Sequence, residues 1–509
     1  MLSKVFSFGL LGIDAYPIEI EVDISNGLPA LTLVGLADTA IRESKERVRS
    51  AIKNSGFNWP IGRITVSLAP SDIKKEGAAF DLAIALGILS ATGQLNSKSI
   101  KEYHILGELS LDGSLRPIRG TLPICIAMSK SAKDILIPVQ NAKEAAVVSG
   151  ISVWPLKTLK EAVEFLNDPG ILKPFRIESK DSLQNDPEYH LDFSEVKGQY
   201  LAKRAIEISV SGGHNILMVG PPGSGKTMLA KRIPTIMPNL TIQEALEVTK
   251  IHSIMGTLPK NTGLMNLRPF RNPHHSISSV ALVGGGSEPK PGEISLSHQG
   301  VLFLDELPEF NRSCLESLRQ PMEDGSIHVS RVKQSCVFPA SFMLVSAMNP
   351  CPCGTLGQHK NPCRCSTTQI ARYHSKISGP LLDRIDIHIE VPAARYQELS
   401  SNLPAESSAQ IKERVNRTRV IQRERFKNEG ILSNALMSHK QVRKFCVLGK
   451  EEGELLKMAM TELNFSARAY DKILKVSRTI ADLAGSDSIK AEHLSEAIQY
   501  RSLDRDFFV

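Results

Sequence analysis

Three stretches carry residues whose types and spacing suit chemistry: a loop near 220, two acids at 305 and 306, and four cysteines between 351 and 365. Gly220, Pro221, Pro222, Gly223, Ser224, Gly225, Lys226 and Thr227 follow the apolar run Ile216 to Val219 and precede a helical stretch from Met228. A strand, a glycine-rich turn and a helix start place successive backbone N–H groups around an anion. Lys226 adds a point charge and Thr227 a hydroxyl ligand for Mg²⁺, so the expected ligand is a nucleotide, ATP with Mg²⁺. Val301 to Leu304 reads as a buried strand that ends in Asp305 and Glu306. Such acids can be ordinary helix caps. Beside a phosphate loop, Asp305 would hold Mg²⁺ through its water shell and Glu306 would orient and polarise the attacking water. Cys351, Cys353, Cys363 and Cys365 form two C-x-C pairs nine residues apart on a loop containing Gly and Pro. Four thiolates complete a tetrahedral set for structural Zn²⁺. An iron–sulfur cluster or a redox pair would use the same residues. With no ligand position left for substrate, a metal here braces its loop.

A chain of 509 residues exceeds one ordinary core and implies two to four domains. Its composition, 42% hydrophobic and 23% charged, is globular, and no apolar run approaches the ~20 residues that span a bilayer. Only Lys4 precedes Val5 to Leu11, and Asp14, Glu19 and Glu21 stand where a signal peptide needs its cleavage site. The expectation is the first strand of a cytoplasmic protein with no membrane partner. A net charge of +7 permits nucleic acid without arguing for it. Cys125, Cys314, Cys336 and Cys446 are scattered and suit reduced core thiols.

The elements that position these residues fall into an α/β plan. Residues 1–167 read as mixed α+β: strict alternation over Ile18 to Ile24, strands at Leu31 to Val34 and Arg63 to Leu68, a helix capped by Asp38, and a buried helix from Asp81 to Ala91. Gly107 to Leu115 turns at Leu111-Asp112-Gly113-Ser114. Residues 168–189 lose periodicity among Pro and Gly and form the linker. Residues 190–395 hold the phosphate loop, the acids and a further buried strand from Phe342 to Ala347, followed by Asn349. Residues 396–509 are helical, at Ile411 to Phe426, Ser438 to Val447, Lys450 to Leu463, Ala469 to Leu483 and Ala491 to Tyr500. The first of these carries Arg414, Arg417, Arg419, Arg423 and Arg425, a solvated face or, less readily, a DNA contact. His274 and His275 sit in a Pro-containing loop as hydrogen-bonded residues or, less readily, metal ligands. Ser326 to Gln334 alternates as a hairpin whose His328, Arg331 and Lys333 either touch a phosphate backbone or form a solvated tip.

Several motifs resemble known families. Lys74 to Leu82, Gly107-Glu108-Leu109 and Pro117-Ile118-Arg119-Gly120 resemble the catalytic domain of Lon-type proteases, a ribosomal-protein-S5-like fold. The family's serine and lysine match Ala79 and about Leu122 here, so the resemblance implies a domain without its catalytic dyad. Ser71, Lys74 and Lys75 are the remaining candidates for a displaced pair. Leu191 to Gln199, the phosphate loop and Val301 to Glu306 resemble an AAA+ module. By that resemblance Asn349 is a sensor that holds the attacking water or the γ-phosphate, Arg384 in Leu381-Leu382-Asp383-Arg384 is an arginine finger that reaches a neighbouring subunit, and Arg468 is a second sensor, in cis or in trans; the plainer alternatives are a turn-forming Asn before Pro350 and a surface pair of Asp383 with Arg384. The order of motifs, with Pro273-His274-His275, Asn349 to Gly354 and Ser378 to Arg384 included, identifies the chain as a member of the YifB/ComM family of magnesium-chelatase-like AAA+ proteins. The resemblance implies an AAA+ core with an insertion near residues 271–296, a Lon-like front domain and a helical lid. It further implies a homo-hexameric, ATP-driven helicase on single-stranded and branched DNA, promoting branch migration as transforming DNA is integrated by homologous recombination. A chelatase-type ATPase subunit and an ATP-dependent protease or remodelling ATPase are the alternatives.

Overall fold

The computed structural model describes residues 2–36, 38–73, 75, 77–96, 98–129, 134–176, 189–286, 289–331, 334–357, 362–393, 405–463 and 465–503. Lys74, Lys333 and most of the 168–189 linker therefore lie outside the described residues, as does the Arg331 side chain. Two compact units account for the chain. The first comprises residues 1–186, 241–266 and 330–337; the second comprises 187–240, 267–329 and 338–509. Among the described residues, no helix is long and apolar enough to cross a membrane.

The first unit is built on a seven-stranded sheet in the order Ala30–Val34, Arg63–Ala69, Asp14–Ser25, Leu2–Leu11, Tyr103–Ile105, Asp134–Pro138, Val153–Leu156. The central three pairings run Arg63–Ala69 against Asp14–Ser25 against Leu2–Leu11, antiparallel, then parallel to Tyr103–Ile105. Alternation over Ile18 to Ile24 works as period-2 patterning should: Ile18, Ile20 and Val22 are buried and Glu19 and Asp23 face out. The helix Thr39–Asn54 starts where expected, its Ile41 N–H donating to Asp38 Oδ1 at 2.8 Å. Asp81–Ala91 is buried along its entire length. It opens on an acid that Arg47 holds at 2.8 Å; burial pushes the Asp81 carboxyl up to about 6 although Arg47 pulls the other way.

The positions that match a protease dyad are filled otherwise. Ala79 packs against an apolar cluster that includes Phe8, Leu106, Ile118 and Ile124. Leu122 is fully buried in the helix Thr121–Met128, and its N–H donates to Glu144 Oε1 at 2.8 Å. Glu144 also accepts from Ser253, on the helix Ile242–Met255 that follows the phosphate-loop helix in sequence but belongs to this unit. Ser71 is exposed, whereas Lys75 is fully buried with no hydrogen-bond partner for Nζ among the described residues, so these two form no pair.

The second unit holds a five-stranded parallel sheet in the order Phe270–Arg271, Val301–Leu304, Met343–Met348, Ile216–Val219, Ile387–Glu390. Its middle three strands are buried at every position, which explains why they read as continuous apolar runs with no alternation. The helices Ser408–Arg425, His439–Phe445, Lys450–Glu462, Ala467–Leu483 and Ala491–Gln499 complete the unit, close to the expected spans. Three of the five arginines of the first are less solvated than their spacing suggests: Arg414 pairs with Glu207 and Glu406, Arg419 donates to the Val210 carbonyl at 3.0 Å, and Arg425 grips Asp482, whereas Arg417 and Arg423 are exposed as expected. The planar forks of those three find partners on neighbouring helices that helical periodicity cannot reveal.

Candidate nucleotide site

Val219, Leu304 and Met348 end three parallel strands that lie side by side. Register sets Val219 opposite Met348 and Leu304 opposite Ser346, so Gly220, Asp305 and Asn349 emerge at one edge of the sheet. The carboxyl edge of an open parallel sheet is where such folds take ligands. Left-handed backbone at Gly223 (φ 76°) and Gly225 (φ 93°) curls the loop before the helix Lys226–Ile236 begins. Gln199, itself left-handed, hooks the loop from outside: its Nε2 donates to the Ser224 carbonyl at 3.1 Å and the Pro392 carbonyl at 2.7 Å. In the sequence Gln199 only closes the Leu191 to Gln199 motif, and no local pattern marks its contact with the loop.

Thr227 Oγ1 donates to Asp305 Oδ2 at 2.7 Å. A hydroxyl and a carboxylate converging beside a phosphate loop are the donor set that Mg²⁺ takes with substrate phosphates. Lys226 Nζ donates to the carbonyls of Gly220 at 2.7 Å and Pro221 at 2.9 Å and reaches Asn349 Oδ1 at 3.4 Å. Burial lowers the Lys226 pKa, and Asp305 opposes that shift. Phosphate oxygens would exchange for those carbonyls with a stronger, charge-assisted contact. Lys226, Thr227, Asp305 and Asn349 thus come together as the chemistry requires.

Glu306 follows with a left-handed backbone, φ 54°, a conformation that costs a non-glycine residue of order 1–3 kcal/mol and recurs at active sites. The Glu309 N–H closes the turn on the Glu306 carbonyl at 2.8 Å, and the side chain stands more than half exposed. Its Oε2 lies 3.2 Å from His275 Nδ1. His274 stacks on His275 at 4.1 Å and meets the Ser276 hydroxyl at 2.8 Å. His275 meets Glu306, a contact that its place in a Pro-containing loop does not announce. The only signal for it was its place just beyond the strand Phe270–Arg271, next to the strand that carries the acids.

Arg384 and Arg468 sit elsewhere. The Arg384 guanidinium donates to the Pro380 carbonyl at 2.6 Å and pairs with Glu323, and its side chain is mostly covered. Arg468 is largely exposed and pairs with Asp383 at 3.2 Å, so the two arginines share a segment and neither meets Lys226 or Asp305. His328 is exposed on the two-stranded sheet formed by Ser326–Arg331 and Gln334–Pro339. The insertion between the acids and the phosphate loop contains the helix Ser279–Val283 and a short pairing of Gly284–Gly285 with Lys290–Pro291.

The four cysteines converge. Their sulfurs lie within 4.8 Å of one another, with Cys351 to Cys353 at 3.4 Å, Cys351 to Cys363 at 3.6 Å and Cys353 to Cys363 at 3.5 Å. Four thiolates about ~2.3 Å from one Zn²⁺ would be ~3.8 Å apart, so this donor set fits that ion. All eight cysteines are free thiols. Hydrogen bonds from the Thr355 hydroxyl and nearby backbone N–H groups pull the Cys353 thiol down, while Cys363 beside it is pushed up.

Profiles of magnesium chelatase subunit ChlI match residues 192–399, those of subunit ChlI of Mg-chelatase match 20–141, and those of the ChlI C-terminal region match 405–501. Competence protein ComM of Haemophilus influenzae is 45% identical over 507 residues, covering 99% of this chain and 98% of that protein. YifB of Escherichia coli is 44% identical over 505 residues with the same coverage, and YifB of Salmonella typhimurium is 42% identical over 507. A mixed α/β fold with parallel strands around a phosphate loop agrees with these matches. The chain belongs to the magnesium-chelatase-like family that includes ComM and YifB.

Proposed function

We propose that the chain is a cytoplasmic AAA+ ATPase that works as a ring-forming motor on single-stranded and branched DNA, a helicase and branch-migration factor acting as transforming DNA is integrated by homologous recombination. The observation that carries the ATPase half is the Thr227 to Asp305 hydrogen bond at 2.7 Å, with Lys226 and Asn349 beside it. Residues Gly220 to Thr227 would hold the phosphates, Thr227 and Asp305 the Mg²⁺, and Asn349 the γ-phosphate or the attacking water. Glu306 would polarise that water, with His275 holding its carboxylate. Arg384 would serve a neighbour's γ-phosphate by exchanging Glu323 for it, which requires a closed ring such as a hexamer; Arg468 would follow nucleotide state from the same segment.

We map an S5-like front domain to residues 1–167, a linker to 168–189, the ATPase to 190–395 and the lid to 396–509. The DNA half rests on the family resemblance and on the relative named a competence protein. A serine–lysine protease is disfavoured because Ala79 and Leu122 are packed apolar positions. The test is ATP turnover with and without single-stranded DNA, together with resolution of a synthetic three-way junction. Stimulation by DNA and ATP-dependent resolution are expected. Turnover indifferent to DNA, with casein degraded or porphyrin metallated instead, would overturn the motor reading.

A further inference from the structure

The described residues 349–357 and 362–376 fold back beside the phosphate loop. His374 Nε2 donates to the Pro350 carbonyl at 3.0 Å. It belongs to the helix Thr367–His374, which a Ser366–Gln369 capping box starts immediately after Cys365. Lys376 then pairs with Glu309 at 3.2 Å, in the turn behind Glu306. At the other side of the cluster, Gly354 has φ 79°, and a Cβ there would stand 2.7 Å from Pro222 Cδ and 2.9 Å from its Cγ. That ring carbon is bonded to the backbone nitrogen of the phosphate loop, so a push on it moves the loop itself. The cysteine loop therefore abuts the phosphate loop, and the helix that follows it returns to Pro350, the neighbour of Asn349.

We propose that a Zn²⁺ held by Cys351, Cys353, Cys363 and Cys365 fixes the wall of the nucleotide site formed by Pro222 and Asn349, so that metal loading sets nucleotide affinity. The proposal rests on the ATP-site reading above. The ion would supply four bonds that tie the two ends of the loop together. Loss of the groups that support metal ligands typically costs 10–100-fold in metal affinity or activity, and the same scale is expected for the wall that this metal would support. The effect here would act through position, because no thiol belongs to the phosphate-binding set.

The experiment uses the full chain, with zinc content and the Kd of a fluorescent ATP analogue with Mg²⁺ measured on the same samples. Stripping zinc with a chelator is expected to weaken the analogue by about tenfold or more, with recovery on adding Zn²⁺. Gly354→Ala separates position from metal. It should retain about one zinc per chain and still lose about tenfold in affinity, since its Cβ meets a rigid ring. Unaltered helical circular dichroism would confirm that each sample is folded. Stripped protein that binds the analogue within about twofold of the loaded protein would overturn the coupling and leave the nucleotide site standing. Failure to take up stoichiometric zinc would overturn the metal site. Absence of analogue binding in the loaded protein would overturn the ATP-site reading itself.

Discussion

Replacing Asp386 with alanine should cost the ATPase unit about 3–5 kcal/mol, the usual price of stranding one member of a buried ion pair. Asp386 Oδ1 accepts from Lys472 Nζ at 2.6 Å, while Oδ2 accepts from the Asn215 N–H at 3.2 Å and lies 3.5 Å from His214 Nδ1. Burial opposes its ionisation, but Lys472 and His214 hold the carboxyl well below the usual range. Burial pulls Lys472 down to about 8 against the attraction of Asp386, and the other charges acting on it, Arg501 and Lys475, are cationic. Removing the carboxylate would strand the Lys472 amine without its charge partner, and its escape by releasing a proton keeps the expected cost within that range. The double variant Asp386→Leu with Lys472→Met removes both charges and should recover most of the loss. A depressed carboxyl contributes stability above its unfolded pKa of about 4 and loses it as pH falls further, so the parent–variant gap should shrink in acid. Both tryptophans, Trp59 and Trp154, lie in the first unit, so fluorescence would not report on this site. Hydrogen exchange of Ile387–Glu390 and of the helix Ala467–Leu483 would. A change under about 1 kcal/mol, or a double variant no better than the single one, would refute the reasoning.

Glu306→Gln should bind ATP and turn it over at least ~10²-fold more slowly, and single-turnover kinetics near the parent rate would remove the water-polarising role. Lys226→Ala should abolish detectable nucleotide binding by titration, since its ammonium is the buried cation among the loop carbonyls. Asp81 sets a pH dependence of opposite sign to Asp386. Its folded value of about 6, up from 3.8, means that the folded state keeps a proton which the unfolded chain has released. The first unit should therefore lose on the order of 3 kcal/mol between pH 4 and 6; tryptophan fluorescence should show that slope in the parent and a flatter one in Asp81→Asn. Arg384→Ala should leave nucleotide binding intact and suppress turnover, and mixing it with parent protein should inhibit the parent; additive rates in mixed samples would exclude a finger acting in trans.

The sequence by itself determined the phosphate loop, because its parts are contiguous: strand, glycines, lysine, threonine and helix need no distant partner to be recognised. It determined most elements for the same reason, since alternation over Ile18 to Ile24 and the apolar stripe of Ala467–Leu483 are local patterns. The count and spacing of the cysteines were also plain. What only the tertiary structure decided are pairings across long separations. The meeting of Thr227 with Asp305 follows from the register of parallel strands, and that of His275 with Glu306 from the adjacency of Phe270–Arg271 and Val301–Leu304. Arg384 on Glu323 and Arg414 on Glu207 were illegible, because nothing in a helix's own period names the acid on its neighbour. The assignment of residues 241–266 to the first unit is likewise a matter of which apolar face finds which partner. The contact of Gly354 with Pro222 belongs to the same class: each glycine and proline reads as a turn, and only packing shows that one turn leans on the other.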